Sequence, residues 1–94
     1  MKQSKRGKLE SNGWKIGSAE ESAYIEMKLA LSEKLKQRRQ SKRMTQAELA
    51  KLVSSSQSRV AKMEAGYPSV SIDLLVKSLL ALGVSKKELG RSIS

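Results

Sequence analysis

The chain has 94 residues, contains neither cysteine nor histidine, and carries a formal net charge of +10 from 19 lysines and arginines against nine aspartates and glutamates. The missing thiol and imidazole groups exclude disulfides, the usual zinc sites and histidine-based acid–base catalysis. We therefore expect a binding protein rather than an enzyme, without cofactor or metal, whose charge favours a polyanion such as nucleic acid.

No segment of the sequence has the character of a membrane anchor or a secretion signal. The longest apolar run, Leu79–Leu82, is far shorter than the ~20 residues that a membrane-spanning helix needs. The basic N-terminus lacks the apolar centre of a signal peptide, and a chain without cysteine fits a reducing compartment. We therefore expect a cytoplasmic protein that does not bind membranes.

The first 21 residues form a polar segment that contains glycine and serine and has no helical or strand periodicity. Five cations and one anion lie among residues 1–15. A segment that is polar, charged and poor in apolar residues does not bury enough surface to fold alone. We interpret residues 1–21 as a flexible basic tail and residues 22–94 as the folded domain.

From residue 22 onward, apolar side chains recur at the spacing of a helix that buries one side. This stripe comprises Tyr24, Ile25, Met27, Leu29, Leu31 and Leu35. It predicts a first helix over about residues 22–41. The opposite face of this helix carries Lys34, Lys36, Arg38 and Lys42. Residues 28–43 hold seven cations and one anion, and charge of nearly one sign favours a surface that faces a polyanion.

Four hydroxyl residues stand where further helices should begin: Thr45, Ser56, Ser71 and Ser85. Glutamates three residues after the first and the last of them complete the capping-box spacing. Gly66 and Gly83 stand where two helices should end, because glycine adopts left-handed backbone without strain. The predicted helices cover about 45–53, 57–65, 72–82 and 86–91. Because strand patterns are absent, we expect an all-α fold of five helices.

The second and third of these helices, joined by a short turn, form a helix-turn-helix. The apolar contacts between and beneath them are expected from Ala47, Leu49, Ala50, Val53, Val60 and Met63. The outer surface of the third helix then consists of Gln57, Ser58, Arg59, Ala61 and Lys62. A helix presented in this way fits the DNA major groove, where glutamine pairs with adenine and arginine or lysine reaches guanine or a phosphate.

Several stretches around this motif follow a familiar pattern. They are TQAELA at Thr45–Ala50, SQS at Ser56–Ser58, EAG at Glu64–Gly66 and ALGVS at Ala81–Ser85. With them, residues 29–90 resemble the Xre family of lambda-repressor-like helix-turn-helix regulators. The resemblance implies a compact five-helix domain that binds double-stranded DNA.

The resemblance also implies roles for individual side chains. Gln57, Ser58 and Lys62 would face the bases, and Arg59 would reach bases or backbone. Ser56 lies at the same helix N-terminus and is expected mainly to cap the helix, whose free N–H groups attract phosphates.

Two further positions carry roles that the resemblance implies. Gln46, at the start of the second helix, would contact a phosphate. Arg39 would lie close to the phosphate backbone and pair with Glu64, which would hold the first helix onto the recognition helix.

The turn between the two motif helices departs from the family pattern. Ser54 stands where glycine is usual, and a left-handed serine costs on the order of 1 kcal/mol. Ser55 stands where a buried aliphatic residue is usual. We therefore expect a looser or differently packed turn.

The segment AYIEMKLALSEKLKQRR, residues 23–39, and the preceding GWKIGSAEE further resemble HigA-like antitoxins, which are paired with small RelE-like toxins. This implies an autoregulating repressor that is a homodimer on a two-fold operator. The candidate dimer surface comprises Leu74, Leu75, Leu79, Leu80 and Leu82, with ordinary core burial as the alternative. Two other functions stay open: a phage- or plasmid-type repressor without a toxin, and a protein–protein adaptor that has lost DNA binding.

Overall fold

The structure is a computed structural model that describes residues 19–93. Five α-helices follow one another: α1 (Ala19–Ser41), α2 (Gln46–Leu52), α3 (Gln57–Ala65), α4 (Ile72–Ala81) and α5 (Lys86–Ile93). No strand occurs between residues 19 and 93. The all-α fold of five helices predicted from the sequence is confirmed.

Helix α1 begins at Ala19, three residues before the predicted start. Glu20 and Glu21 form its acidic first turn, and negative charge is favourable at a helix N-terminus because of the helix dipole. The last three residues of the predicted tail therefore belong to α1, while residues 1–18 of that tail lie outside the described residues.

Hydroxyl side chains cap the four later helices, as the sequence predicts. Thr45 Oγ1 accepts a hydrogen bond from the Glu48 amide at 3.0 Å, and the Glu48 carboxylate accepts one from the Thr45 amide at 2.8 Å, which completes a capping box. The three serine caps, Ser56, Ser71 and Ser85, each accept from the amide three residues on. These local bonds explain why the helices begin where they do.

Gly66 and Gly83 end α3 and α4 in left-handed backbone, with φ of 75° and 86°. A Cβ atom added at Gly66 would lie 2.6 Å from Leu29 Cδ2 on α1, whereas one added at Gly83 would meet open space. Glycine at position 66 therefore serves both the turn and the close approach of α1 to the end of α3.

Helix α1 packs against α3, α4 and α5, and α2 packs against α3. The core comprises Leu31, Leu35, Leu49, Ala50, Val60, Met63, Val70, Leu75, Leu79, Leu82 and Val84. The buried side of α1 begins only at Lys28. Three members of the predicted apolar stripe, Tyr24, Ile25 and Leu29, are nevertheless exposed.

The core also decides between the two interpretations of the C-terminal leucines. Leu75, Leu79 and Leu82 are fully or almost fully buried, and Leu74 packs partly against the same core. The predicted role as a dimer surface is therefore wrong for Leu75, Leu79 and Leu82, since these three are already covered within one chain. Of the five leucines, only Leu80 is exposed, at 46%.

A cluster of charged side chains ties α5 to α1. The Glu88 carboxylate lies 2.7 Å from Lys34 Nζ and also accepts hydrogen bonds from Arg38. The hydrogen bond from Lys34 lowers the pKa of Glu88 most, and Arg38 acts in the same direction. Lys34 and Arg38, on the face predicted to meet a polyanion, therefore also form ion pairs within the chain.

Candidate nucleic-acid interface

The turn between α2 and α3 is built largely by the backbone. The Val53 amide donates to Leu49 O at 3.0 Å, and the Ser55 amide donates to Ala50 O at 2.8 Å. Ser54 adopts left-handed backbone with φ of 56°. The serine thus takes the conformation for which glycine is usual, at a cost on the order of 1 kcal/mol. Ser55 is half-buried.

The inner side of the helix-turn-helix is closely packed. Val60 and Met63 of α3 have no exposed surface, and they lie in one core with Leu49 and Ala50 of α2. Ala50 is small, so α2 and α3 approach closely. Ala47, predicted to join these contacts, is exposed instead because it lies on the outer side of α2.

The outer side of α3 is polar and open to solvent. Its exposed polar residues are Gln57, Ser58, Arg59 and Lys62. Ala61, also predicted there, is half-buried. Ser56 is exposed too, but its hydroxyl already accepts a hydrogen bond from the Arg59 amide at 3.1 Å, so Ser56 acts as the cap of α3. The structure therefore brings the predicted base-facing side chains together on one helix surface.

Behind this surface, a single carboxylate joins three helices. Arg39 Nε and Nη2 on α1 donate to the two oxygens of Glu64 on α3, at 2.6 and 3.0 Å. Gln46 Nε2 on α2 donates to the same Glu64 Oε1 at 3.2 Å. The side chains of Arg39 and Glu64 are only 12% and 4% exposed. Because a bidentate pair in a nearly buried place is geometrically specific, it holds α3 in a defined orientation on α1.

The hydrogen bonds of Arg39 affect its pKa and the direction in which its side chain donates. Its hydrogen bonds to Glu64 raise the pKa of the guanidinium, and the attraction between the two charges adds to this while burial opposes it. Arg39 Nη1 also donates to Met44 O at 2.7 Å. Most of the Arg39 donors therefore point into the protein, and Arg39 acts here as a link between helices.

Two side-chain contacts of the fold were not predicted from the sequence. The bond between Gln46 and Glu64 joins residues 18 positions apart, and no periodic pattern indicates it. Lys28 is almost fully buried and its Nζ donates to Pro68 O at 2.7 Å. A lysine on a helix is typical of a solvated face, so no signal in the sequence distinguished Lys28.

A groove runs along α3 beside the start of α4. It is lined by Arg59, Lys62, Ser69, Val70, Ser71 and Leu74. Two cations and two hydroxyls thus border one edge of the exposed face of α3, which is a suitable lining for an anionic backbone.

Residues 35–89 match the protein family described as helix-turn-helix (HTH_3). The chain belongs to this helix-turn-helix family. HTH_3 proteins are DNA-binding transcription regulators, and their lambda-repressor-like fold agrees with the five helices found here. Searches of curated proteins and of solved structures give no significant match. No helix between residues 19 and 93 combines the length and apolar character needed to cross a membrane.

Proposed function

We propose that this helix-turn-helix protein is a sequence-specific repressor that binds double-stranded operator DNA as a homodimer. The observation that carries the proposal is the exposed polar row on α3, held outward by an inner side that is fully buried. In this arrangement Gln57 and Ser58, at the N-terminus of α3, reach base edges in the major groove. Lys62 faces bases one turn further on, and Arg59 reaches bases or a phosphate.

Contacts to the DNA backbone fix the register of the recognition helix. We assign them to Gln46, whose amide is held by Glu64 and keeps a second N–H group, and to the free amides beside Ser56 at the α3 N-terminus. Arg39 contributes through its hold on Glu64 and through its positive charge near the backbone. The intact set of exposed Gln57 and Arg59 argues against an adaptor that has lost DNA binding.

The finer role that we propose is that of an autoregulating antitoxin in the cytoplasm, which represses its own promoter and neutralises a small RelE-like toxin. Its support is the resemblance of residues 23–39 to HigA-like antitoxins. A repressor of phage or plasmid type would use the same DNA surface without a toxin. A gene for a small basic toxin next to the gene for this protein would favour the antitoxin.

The proposal is tested by titrating the protein with the DNA just upstream of its gene and with a scrambled duplex of equal length, at several salt concentrations. We expect tight binding to the upstream DNA, a clear margin over the scrambled duplex and a steep salt dependence, because phosphate contacts release counterions. Equal and weak binding to both duplexes would reject autoregulation.

A substitution tests base recognition directly. We expect Gln57→Ala to lower affinity by about 1–3 kcal/mol and to relax the preference at one base position. Gln37→Ala, on the exposed side of α1, is the matched control and should leave binding unchanged. An equal loss by Gln57→Ala on operator and scrambled DNA would show that Gln57 does not read a base.

A further inference from the structure

The seven cations among residues 28–43 divide into those with a partner inside the chain and those without one. The cations held by a carbonyl or a carboxylate of the chain are Lys28, Lys34, Arg38 and Arg39. The others are exposed, and their side chains form no hydrogen bond or ion pair with any residue between 19 and 93: Lys36, Lys42 and Arg43. Two of these three lie in the turn between α1 and α2.

Arg43, just after the end of α1, adopts left-handed backbone with φ of 56°. Its amide donates to Gln40 O at 2.9 Å, and the next amide along the chain donates to Arg39 O at 3.1 Å. These two bonds form a Schellman motif, in which the left-handed residue that follows the helix is usually glycine. An arginine at this position strains the backbone because of its Cβ atom.

The same motif ends three further helices, which provides a comparison within the chain. At the ends of α3 and α4 the left-handed residue is a glycine, Gly66 or Gly83. At the end of α2 it is Ser54, whose side chain is small. Of the four motifs, only the one after α1 carries a long charged side chain. Strained residues of this kind cluster at functional sites, so the guanidinium of Arg43 is a candidate for binding.

The turn that carries Arg43 is fixed to the recognition helix. Arg39 Nη1 donates to the carbonyl oxygen of the residue after Arg43, and the other nitrogens of this guanidinium hold Glu64 on α3. Gln46 donates to the same carboxylate. Gln46 lies three residues after Arg43, so their Cα atoms are at most about 11 Å apart. Arg43 therefore stands beside the side chain that we assign to the DNA backbone.

We propose that Arg43 binds a backbone phosphate of the operator, next to the phosphate bound by Gln46. A guanidinium suits this role because its N–H groups form a planar fork that matches phosphate oxygens. Phosphate contacts carry no base information, so Arg43 adds affinity on every DNA sequence. The inference rests on the proposed function, because it adds a residue to the same DNA surface.

Titration of duplex DNA with the full chain at several salt concentrations tests the contact. We expect Arg43→Gln to raise the Kd for operator and scrambled DNA by the same factor, about fivefold to tenfold near 0.1 M salt. The slope of log K against log salt concentration should become flatter by about 0.9, the value for one phosphate. Arg43→Lys keeps the charge and should retain the slope of the wild type.

Lys86→Gln is the matched control, because it also removes one exposed cation whose side chain has no partner between residues 19 and 93. Lys86 begins α5 and follows the end of α4 that is remote from Ser71. The ten residues of α4 separate its two ends by about 15 Å. We expect this variant to keep the Kd and the salt slope close to those of the wild type.

A second substitution separates the phosphate contact from a structural role. A cation near the C-terminus of a helix is favourable because of the helix dipole, but the last turn of α1 already contains Arg38 and Arg39. We therefore expect Arg43→Gly to melt about 4–8 °C above the wild type through relief of strain, and yet to bind DNA as weakly as Arg43→Gln. An arginine needed only for folding would shift melting temperature and affinity in the same direction.

Wild-type affinity and salt slope in Arg43→Gln, or a loss no larger than that of Lys86→Gln, would overturn the contact. A wild type that binds operator and scrambled DNA alike would reject the sequence-specific function. The slope of Arg43→Gln on either duplex would still decide whether Arg43 binds a phosphate.

Discussion

Glu64 ties α3 to α1 and α2, because its carboxylate accepts hydrogen bonds from both Arg39 and Gln46. The resemblance predicted its partner Arg39, because the two positions carry the family's charges. It did not indicate Gln46, whose bond to the same carboxylate follows from how α2 crosses α3. Single residues could thus be assigned from the sequence where a motif carries them. Where a contact depends on the relative placement of two helices, as for Lys28 and Pro68, it could not.

We expect Glu64→Ala to destabilise the protein by about 2–4 kcal/mol, because it leaves the nearly buried Arg39 without its anion. Urea unfolding of the wild type and of each variant measures the change in the free energy of unfolding. Asp73→Ala is the comparison, since it breaks an exposed ion pair with Lys77 and should cost less than about 0.5 kcal/mol. Equal effects of the two substitutions would mean that the Arg39 pair contributes no more than a surface pair.

The backbone at Ser54 leads to a stabilising substitution. Ser54→Gly should raise stability by about 1 kcal/mol, because glycine adopts φ of 56° without the strain that a Cβ atom causes. Ser55→Gly, one residue on and without positive φ, should lower stability by about 0.5–1 kcal/mol through added chain entropy. Thermal melts of the wild type and the two variants measure these effects. A melting temperature of Ser54→Gly below that of the wild type would contradict the proposed strain at Ser54.

At the scale of the helices, the starts of the four later helices could be predicted to within one residue, because each depends on a cap and the three residues that follow it. The hydroxyl caps placed α3, α4 and α5 at Gln57, Ile72 and Lys86. Burial along α1 could not be predicted in the same way. The apolar stripe from Tyr24 to Leu35 is continuous in the sequence, yet Tyr24, Ile25 and Leu29 are exposed while Leu31 and Leu35 are buried. Periodicity indicates which side of a helix is apolar, and the placement of its neighbours decides how much of that side is covered.

The two helix-ending glycines separate backbone strain from packing. Gly83→Ala should lower the free energy of unfolding by about 1 kcal/mol, because a residue with a side chain is strained at φ of 86°. The added Cβ atom itself would meet no other atom within 4 Å. Gly66→Ala should cost more, because its Cβ atom would also displace Leu29. Denaturant unfolding of the pair gives the difference, and equal losses would show that Leu29 moves aside without cost.

At the scale of the whole molecule, α1 organises the domain by contacting α3, α4 and α5. Five helices and their order were predictable, because patterning and caps are local properties. The arrangement that buries Leu75, Leu79 and Leu82 depends on α1 lying across α4, which no local pattern indicates. The same arrangement places Glu88 between Lys34 and Arg38.

The Glu88 cluster makes the docking of α5 dependent on pH. Because Lys34 and Arg38 lower the pKa of Glu88 in the folded state, the cluster stabilises the fold fully above the ordinary pKa of a glutamate and loses this contribution as the pH falls through the lowered value. Glu88→Gln should therefore be less stable than the wild type at pH 7, and the difference should shrink below about pH 4.5. Thermal melts across this range provide the measurement, and a difference that is independent of pH would contradict the cluster's role.

The short reach of the hydroxyl caps has a consequence for how the chain folds. Each cap bonds to an amide three residues ahead, so four helices begin to form from neighbouring residues alone. The contact between Arg38 and Glu88, in contrast, joins residues that are 50 positions apart in the sequence. Proteins dominated by local contacts fold within about microseconds to milliseconds. We expect the slowest step to be the encounter of α1 with α4 and α5, because only that step must close a long loop before it gains any contact.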